Sequence, residues 1–322
     1  MERTPYGDRS LFRARADLRK NGSAGASPRP FCHWTVSIWL LVAATAFGAE
    51  PERKKPHVVF VTGGCEYRGE VSMPMIAKIL EAKHDVRCTV LYAVNPKTGE
   101  RAPNFRGNIE GLEKLQDADL AVILLRFRDI PDDQLQKILD YTRSGKPVVG
   151  IRTALHAFRY SSGPNQKHNE GFGEDVFGQR GISHHGHDTS TNVRVVVGDH
   201  PIVRGVAPAF HTRSWLYKAA PLRGDCVPLL FGAAVKGPQA REEIFGLPSP
   251  VAWTRTDKGK RVFFTSLGHP EDFEHVSVRR LLMQAIFWGL AMEEKIPAQG
   301  LNAEVEGKYV APPLWAEGCE DR

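Results

Sequence analysis

The chain has 322 residues, 42% of them hydrophobic and 25% charged, an ordinary composition for a globular protein with one large domain or two small ones. Its net charge of +6 is uneven: residues 1–49 hold seven Lys/Arg against three Asp/Glu, and the remainder carries 36 against 34. A balance that small argues against a nucleic-acid partner.

The N-terminus carries the excess. A basic region (Arg13, Arg15, Arg19, Lys20, Arg29) precedes an eleven-residue apolar run, Val36 to Ala46, too short to span a bilayer. Small residues end the run at Ala44-Thr45-Ala46 and Ala46-Phe47-Gly48. This pattern predicts a secretory signal peptide over 1–49 and an exported protein, periplasmic or extracellular, with no integral membrane segment after cleavage. Residues 50–56 read as a charged linker, 57–295 as one α/β domain and 296–322 as a loosely packed tail.

Val58 to Val61 is a short apolar run, as in a strand buried on both faces, and Thr62-Gly63-Gly64 turns the chain. Pro74 is expected to open a helix carrying Ile76, Ile79 and Leu80. Val86 to Tyr92 and Leu120 to Leu125 read as strands, with Ile109 to Gln116 helix-like between them. Pro131 to Ser144 is an amphipathic helix with Leu135, Ile138 and Leu139 on one face and Gly145 at its end. Pro147 to Ile151 is the fourth strand. Such alternation predicts right-handed βαβ units and a parallel sheet. Tyr160 to Asp188 is rich in Gly, Asn and His, lacks periodicity and reads as a long irregular segment, of the kind that carries function. Further strands are expected at Val193 to Val197, Trp215 to Tyr217, Val227 to Leu230, Val251 to Thr254 and Val262 to Thr265, and a last helix at Val276 to Leu290.

Two segments place polar residues at the carboxyl ends of strands, where open α/β sheets bind ligands. They are Gly150-Ile151-Arg152-Thr153-Ala154-Leu155-His156 and Ser266-Leu267-Gly268-His269-Pro270-Glu271. His-Pro-Glu resembles the His and Glu triad partners of class I glutamine amidotransferases, and the first segment resembles their nucleophile elbow. Where that family carries its cysteine, this chain has Arg152, which cannot be a nucleophile. A retained scaffold without the nucleophile is similar to the ThuA-like (trehalose-utilisation) family. Asp199-His200-Pro201-Ile202-Val203-Arg204-Gly205 resembles that family's His-Pro-Ile-x-x-Gly segment, and the likeness spans His57 to Ala291. The chain departs from many relatives at Ser214-Trp215-Leu216-Tyr217, which lacks an acidic pair before the tyrosine. The resemblance implies a flavodoxin-like three-layer α/β sandwich with a mostly parallel central sheet, class I glutamine amidotransferase-like in fold. It also implies a link to carbohydrate catabolism and no glutaminase activity.

Twelve histidines are the chain's notable excess. With His269 in the same pocket, His156 and at least one of His184, His185 and His187 are expected to gather at the sheet's carboxyl edge. His156, His184, His185 and His187 read either as ligands of a divalent metal such as zinc or as a polar loop that binds substrate, backbone or water. His269 reads as a general base, with Glu271 fixing its tautomer; the competing reading is that Glu271 or Asp272 only caps the last helix. Arg152 is the candidate electrophile, and Glu66, Tyr67, Thr153 and Tyr217 are candidate substrate-binding residues. Gly63-Gly64 with Gly69 lacks the G-x-G-x-x-G spacing, so no nucleotide cofactor is expected. After cleavage four cysteines remain, Cys65, Cys88, Cys226 and Cys319; their spacings match no metal or redox motif and leave disulfides and free thiols both open. The reading is a sugar-active protein with a small-molecule carbohydrate as partner, either a hydrolase, lyase or isomerase or a non-catalytic carbohydrate-binding module. The oligomeric state is open, a homo-oligomer included.

Overall fold

The computed structural model describes residues 54–319. The expected signal peptide and the start of the linker lie outside them.

Nine strands form one sheet: β1 (His57–Gly63), β2 (Arg87–Leu91), β3 (Leu120–Leu125), β4 (Val148–Ile151), β5 (Thr189–Val195), β6 (Ala209–Thr212), β7 (Cys226–Lys236), β8 (Ile244–Asp257) and β9 (Lys260–Thr265). Their spatial order is β2-β1-β3-β4-β9-β8-β7-β5-β6. Four helices accompany them: α1 (Gly69–Lys83), α2 (Asp132–Arg143), α3 (His168–Phe177) and α4 (Val276–Gly289). Alternate residues of β1 and β3 feed opposite faces. Val58, Phe60, Leu120 and Val122 pack with Ile76 and Leu80 of α1 and Leu281 and Ile286 of α4. Val59, Val61, Ala121 and Ile123 pack with Ile138 of α2 and Phe172 and Phe177 of α3. A sheet buried on both faces needs strands apolar at every position, and β3 is buried throughout.

The sheet is mixed, which corrects the expected mostly parallel arrangement. β2, β1, β3, β4 and β9 are parallel neighbours. From β9 outward, β8, β7, β5 and β6 run antiparallel to their neighbours. The switch is made by the two-residue connection Lys258-Gly259 between β8 and β9, where both residues have positive φ (50° and 86°). That backbone twist suits a tight hairpin, and a crossover helix is then impossible.

Local differences have similar causes. α1 starts at Gly69, not Pro74, which lies inside the helix. A Cβ on Gly69 would stand 2.8 Å from Leu124 Cδ2, so glycine lets the helix approach β3. α3 lies in the segment expected to be irregular. Its glycines hid it, yet Gly173 is where α3 meets the loop after β4, its absent Cβ 2.3 Å from the Leu155 carbonyl oxygen. Trp215 to Tyr217 is no strand; Tyr217 makes a single bridge with His184. The tail is anchored: Leu301 and Ala303 are buried, Leu301 N donates to Gln284 Oε1 (2.9 Å), and Cys65 is bonded to Cys319. Cys88 and Cys226 are free. Among the described residues no helix is long and apolar enough to cross a membrane.

Candidate functional site

The carboxyl ends of β1, β3 and β4 open onto a cavity of about 640 Å³, within the roughly 300–1,000 Å³ usual for small-molecule sites. β1 delivers Glu66 and Tyr67, β3 delivers Arg126 and Phe127, and β4 delivers His156 and Phe158. The loops after β3 and β4 are zipped together by Phe127 N to His156 O (3.1 Å) and Arg128 N to Ala157 O (2.6 Å). The segment before β5 folds over them with Ser183, His184 and His187, and Tyr217 and Trp315 complete the lining.

Glu66 is the buried carboxylate of the cavity. Its Oε2 lies 2.8 Å from Arg126 Nε, and both side chains are largely shielded from solvent. Burial raises the Glu66 carboxyl above its ordinary value, against the opposing pull of Arg126. His156 lies beside Phe127 and Tyr217, their tilted rings centred 5.1 and 6.4 Å away. Burial, reinforced by the charges of Arg126 and Arg152, lowers it to about 3. His184 stacks on His187 at 4.8 Å, and burial with the His187 charge lowers it to about 4. Near neutral pH both His156 and His184 are uncharged imidazoles, each able to donate one hydrogen bond and accept another. His184 already accepts one, at Nδ1 from Gly186 N (3.1 Å).

Arg152 lies behind the cavity and is fully buried. It takes the first position after β4 with a positive φ of 49°, a left-handed conformation that costs a non-glycine residue about 1–2 kcal/mol. Gly268 permits this close approach: a Cβ there would stand 3.4 Å from the Arg152 Cβ and 2.9 Å from Ile151 Cγ2. The guanidinium is caged by Tyr217, Tyr67 and Trp215, with ring centres 4.4, 4.8 and 5.1 Å from Cζ. It donates to the carbonyls of Trp215 (3.1 Å) and Ser266 and to the Tyr67 hydroxyl (3.4 Å). Its Nε and the Nε1 of Trp215 are buried without hydrogen-bond partners. Charge on Arg152 therefore sits directly under the two phenols that floor the cavity.

The residues singled out from sequence divide cleanly. Glu66, Tyr67, His156, His184, His187 and Tyr217 line one cavity. Thr153 is buried outside it. His185 diverges toward β8, its ring 5.5 Å from Phe245 and packed over Gly246. Among the described residues no three of His, Cys, Asp and Glu are grouped to hold a metal ion. His269 does not line the cavity: it is 4% exposed, with the Trp215 ring 6.1 Å from it. Its Nδ1 accepts from Glu271 N (3.2 Å), so the proton sits on Nε2, and burial lowers it to about 4. The Glu271 carboxylate is 4.0 Å from that nitrogen and more than half exposed. Asp272 organises the loop instead: it accepts from the backbone N of Gly268, His269, Arg213 and Ser214, and from Ser214 Oγ (2.6 Å). These contacts cap the short 3-10 helix Pro270–Glu274; the last helix is capped instead by His275, whose Nδ1 accepts from Ser277 N (3.1 Å), so neither Glu271 nor Asp272 caps α4.

Arg126, Phe127 and Trp315 escaped the sequence reading. Arg126 follows the apolar run Leu120 to Leu125 directly, the same strand-end signal that marked Glu66 and Arg152. Trp315 carried no local signal.

The family model described as ThuA, trehalose utilisation, matches residues 57–289. No curated protein matches the chain. Among solved structures, a ThuA-like protein of Bacteroides uniformis is 15% identical with a TM-score of 0.48, covering 76% of this chain and 95% of its own. A ThuA-like protein of Parabacteroides merdae is 18% identical with a TM-score of 0.47, covering 74% and 90%.

Proposed function

The chain belongs to the ThuA family of trehalose utilisation, and from that premise we propose that the cavity binds a sugar and acts on it by proton transfer, with Glu66 as the acid–base group. The observation that carries this reading is the meeting of Glu66, His156, His184, Tyr67 and Tyr217 in one cavity at the carboxyl edge. A sugar presents hydroxyls that both donate and accept, and neutral imidazoles match that need without the desolvation cost of a second charge. Burial raises the Glu66 carboxyl above its ordinary value, the direction that suits an acid–base group. Hydrolysis, elimination and isomerisation of a sugar all need such a group. Negative charge developing on a substrate oxygen above Tyr67 and Tyr217 faces the Arg152 guanidinium behind them, a preorganised electrostatic partner. Arg152 thus supports the electrophilic floor rather than touching substrate. His269 is too enclosed to serve as the base, which passes to Glu66. We also place the protein outside the cytosol, a location that the Cys65–Cys319 disulfide supports.

Isothermal titration of the full chain with trehalose, glucose and glutamine tests this. Saturable binding of a sugar and none of glutamine is expected. Sugar binding lost in His156→Ala and kept in His269→Ala supports the cavity; the reverse pattern would return the site to His269. Binding without turnover of any sugar would favour a carbohydrate-binding module.

A further inference from the structure

We propose that residues 313–319, which lie beyond the family match at 57–289, form a disulfide-held wall of the cavity, with Trp315 as the ring on which the sugar stacks. The stacking role rests on the carbohydrate reading above; the wall does not.

The segment is laid against the residues that present Glu66. Tyr67 N donates to Leu314 O (3.0 Å), Ala316 N donates to Cys65 O (2.7 Å), and Glu66 and Trp315 form the antiparallel bridge between them. Cys319 is joined to Cys65 across 254 residues of sequence. Asn104 Nδ2 to Gly318 O and Arg68 Nη1 to Pro313 O, each 3.3 Å, add side-chain ties. Upstream, residues 304–313 are mostly exposed but tied down at Val305 and Tyr309, which pack on the core, and by Tyr309 Oη to Pro270 O (3.3 Å) and Ala311 N to Glu274 Oε1 (3.1 Å); beyond them, these bonds and the disulfide hold the chain at the cavity.

The placement gives Trp315 a defined task. Its ring is only partly buried and lines the cavity. The Arg126 guanidinium lies 4.3 Å from the Phe127 ring centre and 5.5 Å from that of Trp315, while its Nε holds Glu66. An aromatic face beside a buried carboxylate suits a sugar, whose ring has an apolar C–H face and a hydroxyl rim: the first packs on the indole and the second meets Glu66. The same covalent tie fixes Trp315 and the backbone on both sides of Glu66, so wall and carboxylate are positioned together.

The test has two arms on the full chain. Amide hydrogen exchange is followed in the oxidised protein and after dithiothreitol, which reduces Cys65–Cys319 to two thiols while closing its own two thiols into a ring disulfide. The Ala316 amide should exchange at least about tenfold faster once reduced, and in Cys319→Ser, with β1 and β3 unchanged. Unchanged protection would overturn the wall. In the second arm trehalose and glucose are titrated calorimetrically into wild type, Trp315→Ala and Trp315→Phe. The bound sugar should lose at least about tenfold in affinity with Trp315→Ala and less than about threefold with Trp315→Phe, the latter guarding against misfolding. Equal affinity in all three overturns the stacking role. Absence of any sugar binding to oxidised wild type overturns the carbohydrate reading and the stacking role with it, while the exchange arm still decides the wall.

Discussion

Glu66 Oε2 lies 2.8 Å from Arg126 Nε, and this pair joins the carboxyl ends of β1 and β3 at the mouth of the sheet. The contact opposes the burial that raises the Glu66 carboxyl. If Glu66 transfers protons, Glu66→Gln should lower kcat on the sugar substrate by about a hundredfold or more while changing affinity little. In the wild type the acidic limb of the kcat profile should lie above the ordinary carboxylate value of about 4.5, the direction in which burial moves Glu66. Steady-state kinetics between pH 4 and 8 measure both.

Asp272 and Glu271 are adjacent and should behave as opposites. Asp272 is buried and accepts from four backbone groups and a serine hydroxyl, whereas Glu271 is largely exposed. Asp272→Ala strands several buried donors and should cost about 3 kcal/mol or more. Glu271→Ala should cost under about 1 kcal/mol and leave turnover intact. Urea unfolding of the two variants checks this; equal effects would restore a role for Glu271.

The depressed histidines predict acid sensitivity. His156 sits at about 3 and His184 and His269 at about 4 in the folded state, against about 6.5 unfolded. The unfolded chain therefore binds more protons between those values, and stability falls as pH drops below about 6.5, continuing to about pH 3–4. Glu66 works in the opposite sense, since its raised carboxyl binds a proton more readily when folded. Three imidazoles outweigh one carboxyl. The urea midpoint should be lower at pH 5 than at pH 7.5, and His156→Gln should flatten the difference.

Gly173 makes a packing test. A methyl there would lie 2.3 Å from the Leu155 carbonyl oxygen and 2.7 Å from that of Gln179. Gly173→Ala should destabilise by about 1–3 kcal/mol through displaced backbone, despite alanine's better helix propensity. Thermal unfolding beside Gly171→Ala, where nothing lies within 4 Å, isolates the effect.

The parallel half of the fold was legible because its strands are unbroken apolar runs: Leu120 to Leu125 is β3 residue for residue. The antiparallel half was not, because Asp257-Lys258-Gly259-Lys260 takes its meaning from backbone conformation rather than periodicity. Among the residues that line the cavity, strand-end position marks Glu66 and His156 and applies equally to Arg126. His269 and His185, marked by chemical type, do not line the cavity: His269 Nδ1 accepts from Glu271 N, and His185 packs against Phe245. Trp315 is held at the cavity by its bridge with Glu66 and by a disulfide spanning 254 residues, long-range pairings that no local pattern encodes.

The central claim is that the sugar lies in the cavity between Glu66, His156 and Tyr217. A crystal structure of the protein soaked with trehalose or glucose tests it most directly. Sugar density with hydroxyls within hydrogen-bonding distance of Glu66 and His156 is the predicted result. Sugar bound elsewhere, with this cavity holding none of it, would contradict the account.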